Sequence, residues 1–150
     1  MSHPVSPLAP SEYPSLPFIR GVKLATHACG IRYKGRDDLL VAEFSEGTSV
    51  AGVFTRSLTA SAPVLAGREA LKAGAARVLV VNSGNSNAFT GKAGVASVGR
   101  VRKAACAQFS CGASEFFMAS TGVIGEVLPH KKLTDALPKL HKGLSADGFE

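Results

Sequence analysis

Arg77-Val-Leu-Val-Val-Asn82 is the stretch that decides the fold. Four apolar residues stand in a row, three of them β-branched, with Gly74 before them and Gly84 after. Such a run reads as a strand, and its continuity predicts burial on both faces. The polar, glycine-rich segment Asn82–Gly94 follows as a loop. Val95, Val98, Val101, Ala105 and Phe109 then recur at spacings of three and four, with Arg100, Arg102 and Lys103 between them. That spacing predicts an amphipathic helix. Phe116-Phe-Met-Ala-Ser120 reads as a second buried strand and runs into Thr121-Gly-Val-Ile-Gly125. Strand, loop, helix and strand in this order place the chain in the α/β class.

Further out the pattern continues. Leu39–Phe44 reads as a strand, Glu46-Gly47 as a turn, and Val50–Phe54 as the next strand, so these two are expected to form a hairpin. Ser61–Lys72 is ambiguous: Ala62–Leu65 fits a strand and Arg68–Leu71 a short helix. Leu133, Ala136, Leu137, Leu140 and Leu144 outline a last amphipathic helix, which Pro138 should kink or shorten. Residues 1–17 hold five of the eight prolines, so an extended arm precedes an α/β domain over residues 18–150.

Composition narrows the function. Among 150 residues, 45% are apolar and 19% charged, which suits a domain with a core. The net charge of +6 is scattered. Its densest groups, Arg100–Lys103 and Lys131, Lys132, Lys139 and Lys142, fall on helices where solvated charge is expected. Basic and aromatic residues do not alternate as in single-strand nucleic-acid binders. Cys29, Cys106 and Cys111 are odd in number and lack CxxC spacing, so neither a disulfide framework nor a zinc site is expected, and they read as small buried hydrophobes. The longest strongly apolar run, Val78–Val81, is too short to span a bilayer, and no secretory signal pattern opens the chain. A cytoplasmic protein without cofactor or metal is the expectation.

Two segments could carry chemistry. The Asn82–Gly94 loop sits where a P-loop would, between strand and helix, but six residues separate Gly84 from Gly91-Lys92 and Ala93 replaces the required hydroxyl residue. Its asparagines tolerate left-handed backbone and can satisfy the loop's own amides, or the loop can line a site for a polar molecule. In Ala119–Gly125 a buried strand delivers Thr121 and Gly122 to a turn. Gly122 lets its N–H approach a ligand, and the Thr121 hydroxyl or N–H is a second donor, so the two can form an oxyanion hole. No nucleophile is recognisable: His3, His27, His130 and His141 are scattered, and Ser120 stands outside any G-x-S-x-G elbow. Asp37-Asp38 reads as a solvent-facing pair.

A string of motifs occurs in a fixed order: Gly21-Val-Lys23, Val50-Ala-Gly-Val-Phe-Thr-Arg-Ser57, Ser61-Ala-Pro-Val64, Val80-Val-Asn-Ser-Gly-Asn-Ser-Asn87, Thr90-Gly91 and Ser120-Thr-Gly-Val-Ile-Gly-Glu126. Over residues 18 to 140 this resembles the ornithine acetyltransferase (glutamate N-acetyltransferase) family of arginine biosynthesis. The resemblance implies a layered α/β fold shared with self-processing aminopeptidases, its sheet completed by a β chain. It implies a precursor that cleaves itself before a Thr, whose new N-terminus is the nucleophile of the β chain. That Thr takes acetyl from N-acetylornithine and passes it to glutamate. Thr121 and Gly122 map onto the family's oxyanion hole. An α2β2 heterotetramer is implied, and an α chain that is active only with its β chain.

This sequence departs from the family pattern at several points. Ser86 and Phe89 replace the usual Ala and Cys, Lys92 a common acidic residue, and Val127 a common Pro. The family's Thr-rich substrate segment and Lys-Gly-Ala-Thr cleavage site are expected beyond Glu150. Two rival readings remain: a related self-processing peptidase or amidohydrolase, and a non-enzymatic anion- or nucleotide-binding module built on Asn82–Gly94 with Lys92.

Overall fold

The computed structural model describes residues 7–12 and 14–147. Its elements in chain order are β1 (Val22–His27), β2 (Leu39–Phe44), α1 (Ala62–Leu71), β3 (Val78–Asn82), α2 (Gly91–Phe109), β4 (Phe116–Ser120) and α3 (His130–Lys142), with one short 3-10 turn, Ala113–Glu115, before β4. The four strands form one sheet in the order β1-β2-β3-β4. β1 and β2 pair antiparallel, as do β2 and β3, whereas β3 and β4 run parallel with α2 as their crossover.

The register explains the core. Val41 pairs with Val80, and Val80 with Met118, while Val78 faces Phe116, so these side chains share one face of the sheet. They join Val98, Val101, Ala105 and Phe109 of α2 and Leu133, Leu137 and Leu140 of α3 in a single cluster. The apolar run of β3 is thus sorted by its period of two. Val78 and Val80 are fully buried, whereas Leu79 and Val81 on the other face are only half-buried. The expectation of burial on both faces holds for one face in this chain.

Two readings of the sequence are corrected. Val50–Phe54 forms no strand, and the hairpin partner of β2 is β1, six residues that the sequence reading passed over. None of the expected pairing forms; instead Ser49 bridges Ala75 and the Val50 N–H donates to the Gly74 carbonyl at 2.9 Å. Ser61–Lys72 resolves into one helix, with Pro63 in its first turn, where a missing N–H costs nothing. Pro138 lies inside α3 without ending it. Its flanking residues Leu137 and Leu140 are buried, and tertiary packing outweighs one lost helical bond. Of the proline-rich arm, residues 1–6 and 13 lie outside the described residues; 7–12 and 14–17 are exposed and carry no helix or strand.

The three cysteines are half-buried against the core rather than fully enclosed, and none is in a disulfide. Burial, helped by the charges of Asp38 and Asp37, pushes the Cys29 thiol from its ordinary 9.0 to about 11. Burial and the neighbouring Cys106 push Cys111 to about 12.

Three outcomes are expected. Leu137→Ala, at a side chain that is 1% exposed, should lower the unfolding free energy by about 2–5 kcal/mol in urea titration. Only the thiolate alkylates, so at pH 8 Cys29 should react with iodoacetamide roughly a hundredfold more slowly than free cysteine, and Cys111 more slowly still. Because both thiols hold their protons longer when folded, their contribution to stability should be constant below pH 9 and be lost as pH rises from 9 toward 11–12. Peptide mass mapping of alkylation against time checks the rates.

Candidate functional site

The site lies at the carboxyl ends of the parallel strands β3 and β4, where the chain leaves the sheet twice. Asn82 ends β3 and Ser120 ends β4, directly opposite each other in the register. The Asn82 side chain is fully buried. Its Nδ2 donates to the Asn85 carbonyl at 2.8 Å, and its Oδ1 accepts the Ser120 hydroxyl at 2.6 Å. Its own carbonyl accepts the Thr121 N–H at 3.0 Å. One residue thus fixes the loop after β3, the last residue of β4 and the first residue of the turn.

The other two asparagines work the same way. Asn85 Oδ1 accepts the Asn87 N–H at 2.8 Å, and its Nδ2 donates across to the Glu126 carbonyl at 3.0 Å. Asn87 Nδ2 donates to the Gly94 carbonyl, and its Oδ1 accepts the Thr90 hydroxyl at 2.9 Å. Asn87 adopts a positive φ of 47°, which asparagine tolerates best among non-glycine residues. These amides are spent on the protein's own backbone and on the Ser120 and Thr90 hydroxyls, the self-bonded alternative for this loop. None points outward as a phosphate ligand would need.

The loop in turn braces the Thr121–Glu126 turn. Ser86 donates both its N–H (3.0 Å) and its hydroxyl (2.8 Å) to the Val123 carbonyl. Val123 N–H reaches Gly84, and Gly125 N–H reaches Ala88 at 2.9 Å. Gly122 has φ +128°, and a Cβ there would lie 2.3 Å from the Gly84 carbonyl carbon and 2.5 Å from the Asn85 nitrogen. Both the backbone angle and the contact therefore require glycine.

This geometry sorts the donors proposed from sequence. The Thr121 N–H is taken by Asn82, so it is not available. The Thr121 hydroxyl and the Gly122 N–H have no hydrogen-bond partner among the described residues, and both residues are exposed. They are adjacent on a turn that six hydrogen bonds from Asn82 and the following loop hold in place.

Residues outside the sequence reading complete the surroundings. Asp38 is not solvent-facing but 5% exposed, and its carboxylate accepts the N–H groups of Cys29 (2.6 Å) and Ile31 (2.5 Å). Asp37 is the exposed member of the pair and bonds the Thr26 hydroxyl. The Asp38 clamp carries Arg32 to the turn, where its Nη1 stands 3.2 Å from a Glu126 carboxylate oxygen. Only their position in space, not any spacing in the chain, links these residues. His130 and His141 make their side-chain contacts away from the turn. His130 Nδ1 is 3.4 Å from the Ser97 hydroxyl, and His141 packs against Phe109 with ring centroids 4.8 Å apart and planes tilted by 59°. Among the described residues no group of His, Cys, Asp and Glu side chains could hold a metal ion, and no helix is long and apolar enough to cross a membrane.

Comparison with known proteins gives a consistent answer. The model of the ArgJ family matches residues 23–149. The arginine biosynthesis bifunctional protein ArgJ of Mesorhizobium japonicum is 54% identical over 148 residues, covering 99% of this chain and 35% of that protein. Its counterpart in Bradyrhizobium diazoefficiens is 55% identical over 140 residues, covering 93% and 34%. Among solved structures, the ornithine acetyltransferase of Mycobacterium tuberculosis complexed with ornithine superposes with a TM-score of 0.80 at 34% identity, over 85% of this chain and 69% of that one. The ArgJ protein of Bacillus halodurans gives 0.77 at 28% identity, over 86% and 68%. The chain spans about a third of the length of the curated relatives it matches. With the family model covering most of its length and the same fold in both solved relatives, this chain belongs to the ArgJ family.

Proposed function

We propose that this chain is the α part of an acetyltransferase that moves an acetyl group from N-acetylornithine to glutamate, and that it supplies the oxyanion hole through the Thr121 hydroxyl and the Gly122 N–H. The observation that carries the reading is the pair of adjacent, exposed donors without partners among the described residues, held on a rigid turn. Donors fixed before the substrate arrives need no reorganisation during reaction, which is what oxyanion stabilisation demands.

The nucleophile belongs to a second polypeptide, the β chain cut from the same precursor, beginning with Thr. Its hydroxyl oxygen attacks the acetyl carbonyl, and the α-amino group of the same residue takes the hydroxyl proton. The carbonyl oxygen gains charge and meets Thr121 and Gly122. Collapse breaks the carbon–nitrogen bond, and ornithine leaves with the proton. The glutamate amine then attacks the acetyl ester, giving up a proton to the α-amino group; collapse breaks the bond between the acetyl carbon and the Thr oxygen, which takes that proton back, with the same two donors serving the second tetrahedral intermediate. Lengths support a divided polypeptide. The chain covers 69% of the Mycobacterium tuberculosis chain but 35% of the Mesorhizobium japonicum protein, so the crystallised chain is well short of full length. The assembly is read as two α and two β chains in the cytoplasm.

Two experiments test this. Intact-mass analysis of the complete gene product should find a second polypeptide beginning with Thr; a single uncut species would remove the proposed nucleophile. In the assembled enzyme, Thr121→Ala should lower kcat by about 10²–10³, with Thr121→Ser restoring most of it. An unchanged kcat for Thr121→Ala would remove Thr121 from the mechanism. Gly122→Ala should abolish turnover, because the methyl group has no room against Gly84.

A further inference from the structure

Helix α2 ends in a way that brings two of the three cysteines together. Ser110 turns the chain through a left-handed conformation, φ 51°, at the place glycine usually takes after a helix. The N–H groups of Ser110 and Cys111 both donate to the Cys106 carbonyl, the second at 3.1 Å. A bond of that span marks a Schellman ending, in which the residue after the left-handed one packs against the residue whose carbonyl it meets. Usually both are apolar. Here both carry thiols. Cys106 Sγ lies 3.5 Å from the carbonyl of Gly112, the neighbour of Cys111, and the Cys106 side chain hydrogen-bonds the Cys111 thiol. Both thiols are half-buried and free, whereas no cysteine is among the groups that act on Cys29. Four residues separate Cys106 from Cys111 in the sequence, and the left-handed turn cancels that separation.

We infer that Cys106 and Cys111 are a reversible dithiol–disulfide site, closed by a low-molecular-weight disulfide and reopened by a thiol. The chemistry balances as two exchanges. Cys106 gives up its proton and its sulfur attacks one sulfur of the small disulfide. That S–S bond breaks, and the half that leaves as a thiolate takes up a proton. Cys111 Sγ then attacks Cys106 Sγ, and the second half leaves as a thiol with the Cys111 proton. The protein loses two hydrogens and the small disulfide gains them. The surroundings favour this order. Burial is the first cause holding the proton on Cys111, and the charge and hydrogen bond of Cys106 follow. Both contributions of Cys106 vanish once its sulfur sits in a mixed disulfide, while Arg77, which favours the Cys111 thiolate, remains. Cys111 thus keeps its proton until there is a bond for it to attack. The ring closes around Ser110 before β4 begins, and Thr121 and Gly122 follow the far end of that strand. The site therefore stands apart from the oxyanion-hole reading.

Mass spectrometry of the folded, complete gene product in buffers of oxidised and reduced glutathione tests the inference. No Lys or Arg stands between Lys103 and Lys131, so trypsin releases both cysteines in one peptide, residues 104–131. After acid quenching, that peptide should be lighter by two hydrogen atoms and should recover its mass in dithiothreitol. The closed form should exceed the glutathione adduct of the same peptide by about tenfold or more, because Cys111 is already in place to displace the glutathione. Cys111→Ser should invert that ratio and leave Cys106 as a lasting glutathione adduct. Cys29, which has no second thiol beside it, should show the adduct or no reaction and never an internal bond. A parent peptide that stays reduced, that keeps its glutathione adduct, or that closes only in urea overturns the assignment.

Discussion

The structure depends on one buried amide. Asn82 must donate and accept at once: its Nδ2 satisfies the Asn85 carbonyl while its Oδ1 receives the Ser120 hydroxyl. A carboxylate there could only accept, and an aliphatic residue could do neither. Because β3 and β4 are parallel, their carboxyl ends emerge side by side, and the two following loops compete for the same space. The Asn82 network turns that competition into a fixed arrangement, with Gly122 pressed against Gly84 closer than any side chain would permit. Binding crevices at the carboxyl ends of parallel strands are a general property of such sheets. Here the crevice is filled by protein, and what remains on its rim is a pair of unused donors.

Helices α2 and α3 and strands β2, β3 and β4 were legible because their patterns are local, whereas α1 read equally well as strand or helix. Of the five residues read on one face of α2, Val98, Val101, Ala105 and Phe109 are buried, while Val95 in its first turns is 54% exposed. Thr121 and Gly122 were legible as a turn after a strand, and the family resemblance singled them out. What sequence could not supply was non-local. β1, Val22–His27, mixes Lys23, Thr26 and His27 with apolar residues and so lacks a clean alternation; its place is fixed by β2 on one side and by a two-bond bridge to Ser145 on the other. Asp38 looked like half of a solvated pair, because nothing in Asp37-Asp38 says that only the second carboxylate meets the Cys29 and Ile31 amides. Arg32 and Glu126 are 94 residues apart in sequence, and their ion pair exists only because the Asp38 clamp turns the loop toward the Gly122 turn. It is exposed, and pairs of that kind contribute little by themselves.

The choice between Thr121's two donors illustrates what three-dimensional structure adds. Either the hydroxyl or the N–H would serve chemically. The register decides, because the β3–β4 ladder extends one step past the strands and uses the Thr121 N–H on Asn82. That bond also orients the next peptide unit, whose N–H belongs to Gly122 and is left without a partner among the described residues. The ladder that removes one donor is the device that aims the other.

Exposure of these two donors is the last link. In water an N–H or hydroxyl gains little by meeting a developing oxyanion, because it gives up a hydrogen bond to solvent to do so. The same contact is worth far more where water is excluded. Thr121 and Gly122 are both open to solvent in this chain, so the reading of them as an oxyanion hole requires that something else cover them. The half-buried outer face of the sheet, at Leu79, Val81 and Phe117, makes the same demand on hydrophobic grounds. A chain that folds its own helical core yet leaves apolar sheet surface and aimed donors uncovered has the physical character of one part of a site. Under the two-part reading, the second polypeptide brings the nucleophile and the low-dielectric surroundings together, and neither is useful without the other.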